Sequence, residues 1–238
     1  MGGILTAARE ALIPSLCPHC GEALGGRDRG LCGGCWSRLV PTAGGACPRC
    51  GLPVDDPGEG CTGCASAPPP QAATIIWGEH DGVLRTAILA LKHGGRDDLA
   101  CPLAQRLCAT VAAQYWADEI DGVCDVPSHP LHRGRRPWTA ARLMADASGS
   151  LLGRQVVHPL RRRGLRRQTG HRRATRLTLP RRSFQAAPSA RGLRLLLIDD
   201  VTTTGATLRT AAAALLDAGA ETVYCAALAH TPDPRRSP

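Results

Sequence analysis

The sequence predicts an α/β protein in which a parallel sheet follows an N-terminal module held together by metal. The first observation is the order strand, helix, strand near the C-terminus. Residues 193–198 are a short apolar run, residues 206–218 place alanine and leucine at helical spacing, and residues 221–225 are again typical of a strand. The second observation is a set of regularly spaced cysteine pairs within the first 64 residues.

The segment between that strand and that helix has the composition of a ligand site. Asp199 and Asp200 follow the apolar run, and Val-Thr-Thr-Thr-Gly-Ala-Thr follows them. Ligands of open α/β sheets bind beyond the carboxyl ends of strands, where Gly205 lets the main chain approach closely and helix amides point outward. Carboxylates accept hydrogen bonds from sugar hydroxyls, so the segment favours a sugar phosphate. The plainer alternative is a turn with a helix cap.

The cysteine array predicts two structural zinc sites. Four Cys-x-x-Cys pairs are separated by 11, 11 and 10 residues, and two such pairs complete one tetrahedral zinc site. Four thiolates leave no coordination position for water, which favours a structural role. Sequential pairing is expected, with a cross-brace as the open alternative. The sequential ligands are Cys17, Cys20, Cys32 and Cys35 for the first site and Cys47, Cys50, Cys61 and Cys64 for the second.

The segments between these two features supply the other elements of the sheet. Three consecutive prolines mark a linker at residues 65–71, so we expect a zinc module over residues 1–66 and an α/β domain over residues 67–238. Apolar periodicity predicts strands over 74–77 and 123–127 and helices over 4–12, 83–91, 97–116 and 143–152.

Positive charge is concentrated in one part of the chain. The formal net charge is +9, and residues 147–198 contain thirteen arginines and no acid. Ten of these arginines lie within residues 161–182, where they repel one another unless an anion is bound. The expected anion is pyrophosphate or a nucleic-acid backbone, and the alternative is a solvated loop.

Other cations are candidates for the same role. The loop after the strand at 123–127 is basic, and Lys92, the only lysine, ends the helix predicted over 83–91. Lys92 has two interpretations, contact with a phosphate or a solvated position favoured by the helix dipole. The candidate pyrophosphate-binding residues are Lys92, Arg133, Arg135, Arg136, Arg161 and Arg163.

Residues 199–207 resemble the phosphoribosyl pyrophosphate (PRPP) motif of type I phosphoribosyltransferases. With the cysteine array and the junction Leu91-Lys92-His93-x-Gly95, they make the chain similar to the ComF family of competence-associated, phosphoribosyltransferase-like proteins. The resemblance implies a type I phosphoribosyltransferase-like parallel sheet with an N-terminal double zinc ribbon. It also implies that the aspartates hold the ribose hydroxyls, that residues 203–207 wrap the 5-phosphate and that Mg²⁺ accompanies PRPP. The implied PRPP-binding residues are Asp199, Asp200, Val201, Thr202, Thr203, Thr204, Gly205, Ala206 and Thr207.

One loop departs from the family pattern and leaves two functions open. The family has Arg-Gly-Phe-Asn-Gln where this chain has Arg136-Pro137-Trp138-Thr139-Ala140, so a main-chain donor and two amide side chains are missing. One hypothesis is an enzyme that transfers the ribosyl group of PRPP to an unidentified acceptor. The other is a non-catalytic PRPP- or phosphate-binding protein that binds single-stranded DNA or a protein partner.

The resemblance further implies a role in the uptake of transforming DNA. The implied partners are single-stranded DNA and a DNA-uptake helicase or another competence protein. No apolar run approaches the ~18 residues of a membrane helix, and residues 1–16 lack the apolar region of a signal peptide. We therefore expect a cytoplasmic protein without membrane insertion. In the cytoplasm, cysteines bind metal more often than they form disulfides.

Overall fold

Five parallel strands form the centre of the molecule. The computed structural model describes residues 15–25, 28–42, 44–54, 61–128, 138–163, 180 and 183–231. In the sheet β1 lies at one edge and the order is β1-β7-β6-β2-β3, with every neighbouring pair parallel. The strands are β1 Ala73–Glu79, β2 Gly122–Asp125, β3 Gln155–Val156, β6 Arg194–Thr202 and β7 Thr222–His230. Two short strands, β4 Leu160–Arg162 and β5 Phe184–Ala186, form a separate antiparallel pair. The predicted parallel sheet is confirmed.

Helices accompany the sheet much as the apolar periodicity predicts. They are α1 Gly33–Ser37, α2 Thr62–Ser66, α3 Gly82–His93, α4 Ala100–Ala112, α5 Ala140–Leu152 and α6 Ala206–Asp217. Within the helix predicted over 97–116, a 3₁₀ turn at Asp97–Leu99 precedes α4, and a second 3₁₀ turn at Ala117–Glu119 follows the predicted range. The helix predicted over 4–12 lies outside the described residues. Among the helices described, none has the length and apolar character needed to cross a bilayer.

Both faces of the sheet are covered. Successive side chains of a strand point to opposite faces, so Leu196 and Ile198 of β6 pack with α3, α4 and α5, whereas Leu195 and Leu197 pack with α6. This burial explains why β6 and β7 are almost continuously apolar. The polar residues that end β6 are therefore an exception that needs a reason.

The cysteine-rich segment packs directly on the α/β core. Leu31 and three cysteines of the first group belong to the same buried cluster as Leu99 and Leu103. The Arg96 guanidinium donates to the carbonyl oxygens of Leu16 and Gly30, at 3.0 Å each. The first cysteine group is thus part of the core of the α/β domain.

The second cysteine group covers the edge strand β1. The Thr74 amide donates to the Pro48 carbonyl oxygen at 2.9 Å, and its hydroxyl donates to the Arg49 carbonyl oxygen at 2.7 Å. Further along the same strand, the Thr42 amide donates to the Trp77 carbonyl oxygen at 2.9 Å. These contacts pair main-chain groups that an edge strand otherwise leaves open.

Candidate functional site

The acids at 199 and 200 lie inside a strand. The sequence predicts that the strand ends near residue 198, but β6 continues to Thr202 because residues 199–202 pair with residues 227–230 of β7. Both carboxylates therefore start from a fixed backbone at the carboxyl edge of the sheet. That edge is where open α/β folds bind their ligands.

The two carboxylates have different surroundings. Asp199 is 9% exposed, and its Oδ1 accepts a hydrogen bond from the Asp200 amide at 2.9 Å. Burial, followed by repulsion from the Asp200 carboxylate, raises the pKa of Asp199 to about 8. Asp200 faces the other side, where its Oδ1 lies 2.7 Å from Nζ of Lys92. A cation beside Asp199, or a group that donates hydrogen bonds to its carboxylate, would therefore stabilise the ionised form of this side chain.

Residues 203–207 form an open turn at the start of α6. Gly205 caps this helix with φ 72°, a conformation that favours glycine, and a Cβ built there would meet no atom within 4 Å. The main-chain amides of Thr203, Thr204, Gly205 and Thr207 have no hydrogen-bond partner in the described part of the chain. Such amides at a helix N-terminus bind anions. The turn is itself anchored, because the Thr203 carbonyl oxygen accepts from Nε2 of His230 at 2.9 Å.

Lys92 belongs to this site. Helix α3 starts directly after β1, and its last turn brings Lys92 to Asp200, which lies two strands away in the sheet. The Lys92 side chain is 28% exposed and ion-paired, which differs from a freely solvated helix end. The ammonium group therefore stands beside one of the two expected ribose-binding carboxylates.

The arginines of the β4–β5 pair are arranged by strand alternation. Arg161 is exposed, and Arg163 donates to Oε1 of Gln185 at 2.9 and 3.2 Å. Arg162 points the other way, with its guanidinium 5.4 Å from the centre of the Phe184 ring and close enough to Asp199 for their charges to interact. Burial lowers the pKa of Arg162. Arg162 was missed in the sequence, because register decides which arginine of a run faces inward. Arg133, Arg135 and Arg136 lie outside the described residues.

Three histidines at the carboxyl edge were also not predicted as site residues. His158 places Nδ1 2.8 Å from Oδ1 of Asp125 at the end of β2, and His230 supports the 203–207 turn. His80 follows β1, and its amide donates to the His230 carbonyl oxygen at 2.7 Å. Within the described part of the chain, the buried Nε2 atom of His80 has no hydrogen-bond partner. An isolated histidine shows no periodicity or spacing in the sequence. These three histidines share one edge of the sheet because of the order of the strands, which the sequence alone does not give.

The eight N-terminal cysteines form two clusters that fit zinc. Cys17, Cys20, Cys32 and Cys35 converge in one, and Cys47, Cys50, Cys61 and Cys64 in the other, with ligand atoms within 4.8 Å of one another. Sulfur–sulfur distances are 3.5 Å for Cys20 and Cys32, 3.7 Å for Cys47 and Cys64, and 3.8 Å for Cys50 and Cys61. A tetrahedral zinc ion with Zn–S bonds of about 2.3 Å requires edges of about 3.8 Å. The sequential pairing is therefore confirmed, and the cross-brace is excluded.

The thiol pKa values show why these clusters need a cation. Burial, followed by the neighbouring sulfurs, raises the pKa of Cys35 to about 11. Burial also disfavours the thiolate of Cys17, but hydrogen bonds from main-chain amides and neighbouring groups lower its pKa to about 6. Without metal, four thiolates in such a cluster would repel one another. A bound divalent cation offsets their negative charge.

Comparison with known protein families defines the class of the chain. Residues 8–65 match the double zinc ribbon domain, and residues 150–238 match the phosphoribosyl transferase domain. The chain thus joins a double zinc ribbon to a phosphoribosyltransferase domain, in agreement with its cysteine clusters and its parallel sheet.

The relatives narrow this class to a family. The chain is 28% identical over 224 residues to the DNA utilization protein YhgH of Salmonella typhi, covering 92% of this chain and 98% of that one. It is 26% identical over 198 residues to the competence protein ComFC of Bacillus subtilis, covering 81% and 80%. These relatives and the two domain matches confirm the resemblance to the ComF family.

Solved structures show partial similarity. The glutamine PRPP amidotransferase of B. subtilis matches 59% of this chain with 20% identity and a TM-score of 0.40. The phosphoribosylpyrophosphate synthetase of Mycobacterium smegmatis matches 54% with 23% identity and a TM-score of 0.33. This chain spans 30% and 33% of their respective lengths.

Proposed function

We propose that the chain binds PRPP at the carboxyl edge of its sheet and transfers the phosphoribosyl group to an acceptor. The observation that carries this proposal is the open turn at residues 203–207. Its amides, except that of Ala206, are unpartnered within the described residues, and they begin a twelve-residue helix directly after two carboxylates borne on a strand. A 5-phosphate would accept hydrogen bonds from those amides and from the threonine hydroxyls. The carboxylates of Asp199 and Asp200 would accept hydrogen bonds from the ribose hydroxyls.

The surrounding cations suit the pyrophosphate that leaves in such a transfer. Lys92 and Arg162 are held beside the two carboxylates, and Arg161 lies exposed on the β4–β5 pair. Arg133, Arg135 and Arg136, which lie outside the described residues, complete the candidate set. These groups would stabilise the developing charge of the leaving group, the main demand of this reaction on the protein. Mg²⁺ bound to PRPP would neutralise part of the pyrophosphate charge.

The zinc ions have a different role in this proposal. Each site has four cysteine ligands and no open position, so zinc holds the ribbons on the core and takes no part in the chemistry. We propose that the ribbons occupy residues 1–66 and the transferase domain residues 67–238. We also place the protein in the cytoplasm, whose reducing conditions keep zinc-binding thiolates intact.

The test is titration calorimetry of the full chain with PRPP and Mg²⁺, paired with an assay of pyrophosphate release in the presence of added amines and nucleobases. We expect PRPP to bind and ribose 5-phosphate to bind more weakly, because ribose 5-phosphate lacks the pyrophosphate that the cations contact. PRPP that binds no better than inorganic phosphate would contradict the proposal. Binding without pyrophosphate release under any acceptor would leave the non-catalytic alternative as the function.

Exposed arginine favours a second candidate function. Arg161 is exposed on β4, within the sequence segment that contains ten arginines. Relatives carry the names DNA utilization protein and competence protein. We propose that this segment binds the backbone of single-stranded DNA, with a DNA-uptake helicase or another competence protein as a further partner. Contact would be mostly with phosphates, since aromatic residues make up only 3% of the chain.

Salt dependence tests this second candidate. The logarithm of the DNA-binding constant should fall linearly with the logarithm of the salt concentration, and Arg161→Gln should reduce that slope by about 1. The matched control is Arg154→Gln, the same change at the residue directly before β3. It should leave the slope unchanged. A binding constant independent of salt, or equal effects of the two variants, would argue against the arginine segment.

A further inference from the structure

The main-chain pairing of β6 with β7 stops immediately before the 203–207 turn. Thr202 pairs with His230, and the Thr231 amide donates to the Thr202 carbonyl oxygen at 2.8 Å. The next carbonyl oxygen of the chain, that of Thr203, receives no main-chain hydrogen bond within the described residues. It accepts instead from Nε2 of the His230 side chain at 2.9 Å. A side chain therefore continues the hydrogen bonding where the sheet ends.

The main chain of His230 is held by the strands on both sides of β7. This strand lies between β1 and β6, and His230 pairs with Glu79 of β1 as well as with Thr202 of β6. Its carbonyl oxygen accepts from the His80 amide at 2.7 Å. Side chains carried by strands are positioned more precisely than side chains carried by loops. The imidazole of His230 therefore reaches the turn from a fixed starting point.

The hydrogen bond to the turn determines which ring nitrogen of His230 carries the proton. A carbonyl oxygen can only accept, so the proton lies on Nε2, and Nδ1 is the unprotonated nitrogen of the neutral ring. Burial lowers the pKa of His230, although the Thr203 carbonyl oxygen and the charge of Glu79 act in the opposite direction. The ring is therefore neutral at pH 7, in the tautomer that the contact with Thr203 requires.

The Thr203 carbonyl and the Thr204 amide belong to one planar peptide unit. The peptide bonds of the described residues are trans, so the C=O and N–H bonds of this unit point in opposite directions. When His230 holds the carbonyl oxygen, the Thr204 N–H is therefore turned away from His230. Within the described residues this amide has no hydrogen-bond partner, and neither has the next one, that of Gly205. Successive free amides in a turn form a concave site for an anion.

From these contacts, and resting on the proposed function, we propose that His230 is a positioning residue for the 5-phosphate of PRPP. It acts through the Thr203–Thr204 peptide, whose orientation it fixes before the ligand binds. The Thr204 amide can then donate to a phosphate oxygen without first changing its direction, so the turn loses less conformational entropy on binding. In this arrangement His230 orients the phosphate donor and makes no contact with the phosphate itself.

The effect of His230 should be confined to the phosphate end of the ligand. Lys92 and Arg162, two candidate contacts of pyrophosphate, lie beside the two carboxylates and have no contact with the carbonyl oxygen that His230 holds. Loss of the hydrogen bond from His230 should therefore weaken PRPP and ribose 5-phosphate by the same factor. In the assay of pyrophosphate release, KM for PRPP should rise while kcat stays unchanged, as expected for a contact made equally in the ground state and the transition state.

Two conservative substitutions test the contact by titration calorimetry of the full chain with ribose 5-phosphate. The side-chain amide nitrogen of glutamine can take the place of Nε2, whereas that of asparagine corresponds to Nδ1 and does not reach the Thr203 carbonyl oxygen. We expect His230→Asn to weaken binding about tenfold and His230→Gln to stay within about threefold of the wild-type chain. Thermal melts show whether each variant is folded. Equal affinities of the two folded variants would overturn the proposal.

Nuclear magnetic resonance of the ¹⁵N-labelled wild-type chain tests the proposal without relying on a variant that folds. Long-range ¹H–¹⁵N correlation spectra of the histidine rings should show the proton of His230 on Nε2, and added ribose 5-phosphate should shift the amide peak of Thr204. A proton on Nδ1 alone, or an unshifted Thr204 amide while the ligand binds, would overturn the inference. If ribose 5-phosphate binds in this way but PRPP binds no better than inorganic phosphate, the proposed function alone is refuted. A wild-type chain that binds neither compound would refute both.

Discussion

Replacing Asp199 and Asp200 together with asparagine should lower the affinity for PRPP by about 30- to 100-fold. Each carboxylate is expected to accept a hydrogen bond from a ribose hydroxyl, and a charge-assisted hydrogen bond contributes about 1.5–3 kcal/mol. The asparagine amide oxygen still accepts a neutral hydrogen bond of about 0.5–1.5 kcal/mol, so each substitution costs about 1–1.5 kcal/mol and the two together about 2–3 kcal/mol. Every 1.4 kcal/mol is a tenfold change in affinity. Calorimetry of the double variant against the wild-type chain measures the loss directly.

The effect of the substitution at Asp199 on protein stability can be checked without the ligand. The pKa of Asp199 is raised from 3.8 to about 8, so the folded state holds a proton that the unfolded state releases between those pH values. The wild-type chain therefore loses stability as the pH rises through this window, and Asp199→Asn, which does not titrate, should become progressively more stable relative to it. Thermal melts from pH 5 to pH 9 test this. A folded double variant that retains PRPP affinity would refute the assigned site.

Cys32→Ser should destabilise the whole chain by more than about 4 kcal/mol and remove one zinc ion from an expected content of about two per chain. Cys32 is 4% exposed and shares a buried cluster with Leu99 and Leu103 of the α/β domain. Loss of its thiolate opens the first zinc site and loosens that cluster, and the free energy of zinc binding is part of the folding free energy. Metal analysis and denaturant unfolding measure the two effects.

Cys61→Ser is the matched control for this prediction. Cys61 is half-buried, and the second ribbon contacts the edge strand through hydrogen bonds of Thr74. The variant should also lose one zinc ion, but the remaining structure should melt closer to the wild-type temperature. Equal destabilisation by both substitutions would contradict the distinction between a core-forming and an edge-covering ribbon. A folded wild-type chain without zinc would contradict both sites.

The features that the sequence could predict are those fixed by local spacing. Cys-x-x-Cys pairs bring two thiolates together within one tight turn, and apolar residues at helical or strand spacing define the βαβ unit around Gly205. The extension of β6 beyond residue 198 was not predicted, because aspartate is a poor strand former. Pairing with β7 overrides that preference, and the two aspartates become strand residues.

Contacts between distant residues could not be predicted in the same way. Lys92 meets Asp200 only because β1 and β6 are separated by a single strand and α3 bridges them. Arg162, rather than its neighbours, faces Asp199 because Arg162 pairs with Phe184 in an antiparallel register. The docking of each ribbon on the domain likewise depends on shapes that periodicity does not encode. The order and pairing of the strands, more than local secondary-structure propensity, bring together the charged residues of the candidate site.

The chain has a single lysine, and that lysine touches Asp200. Reductive methylation with ¹³C-labelled formaldehyde would therefore mark only this side chain and the terminal amine. The chemical shift of the dimethylammonium group depends on the carboxylate beside it. One nuclear magnetic resonance peak would then follow the arrival of a ligand at Asp200 in the otherwise unaltered protein, with no engineered label.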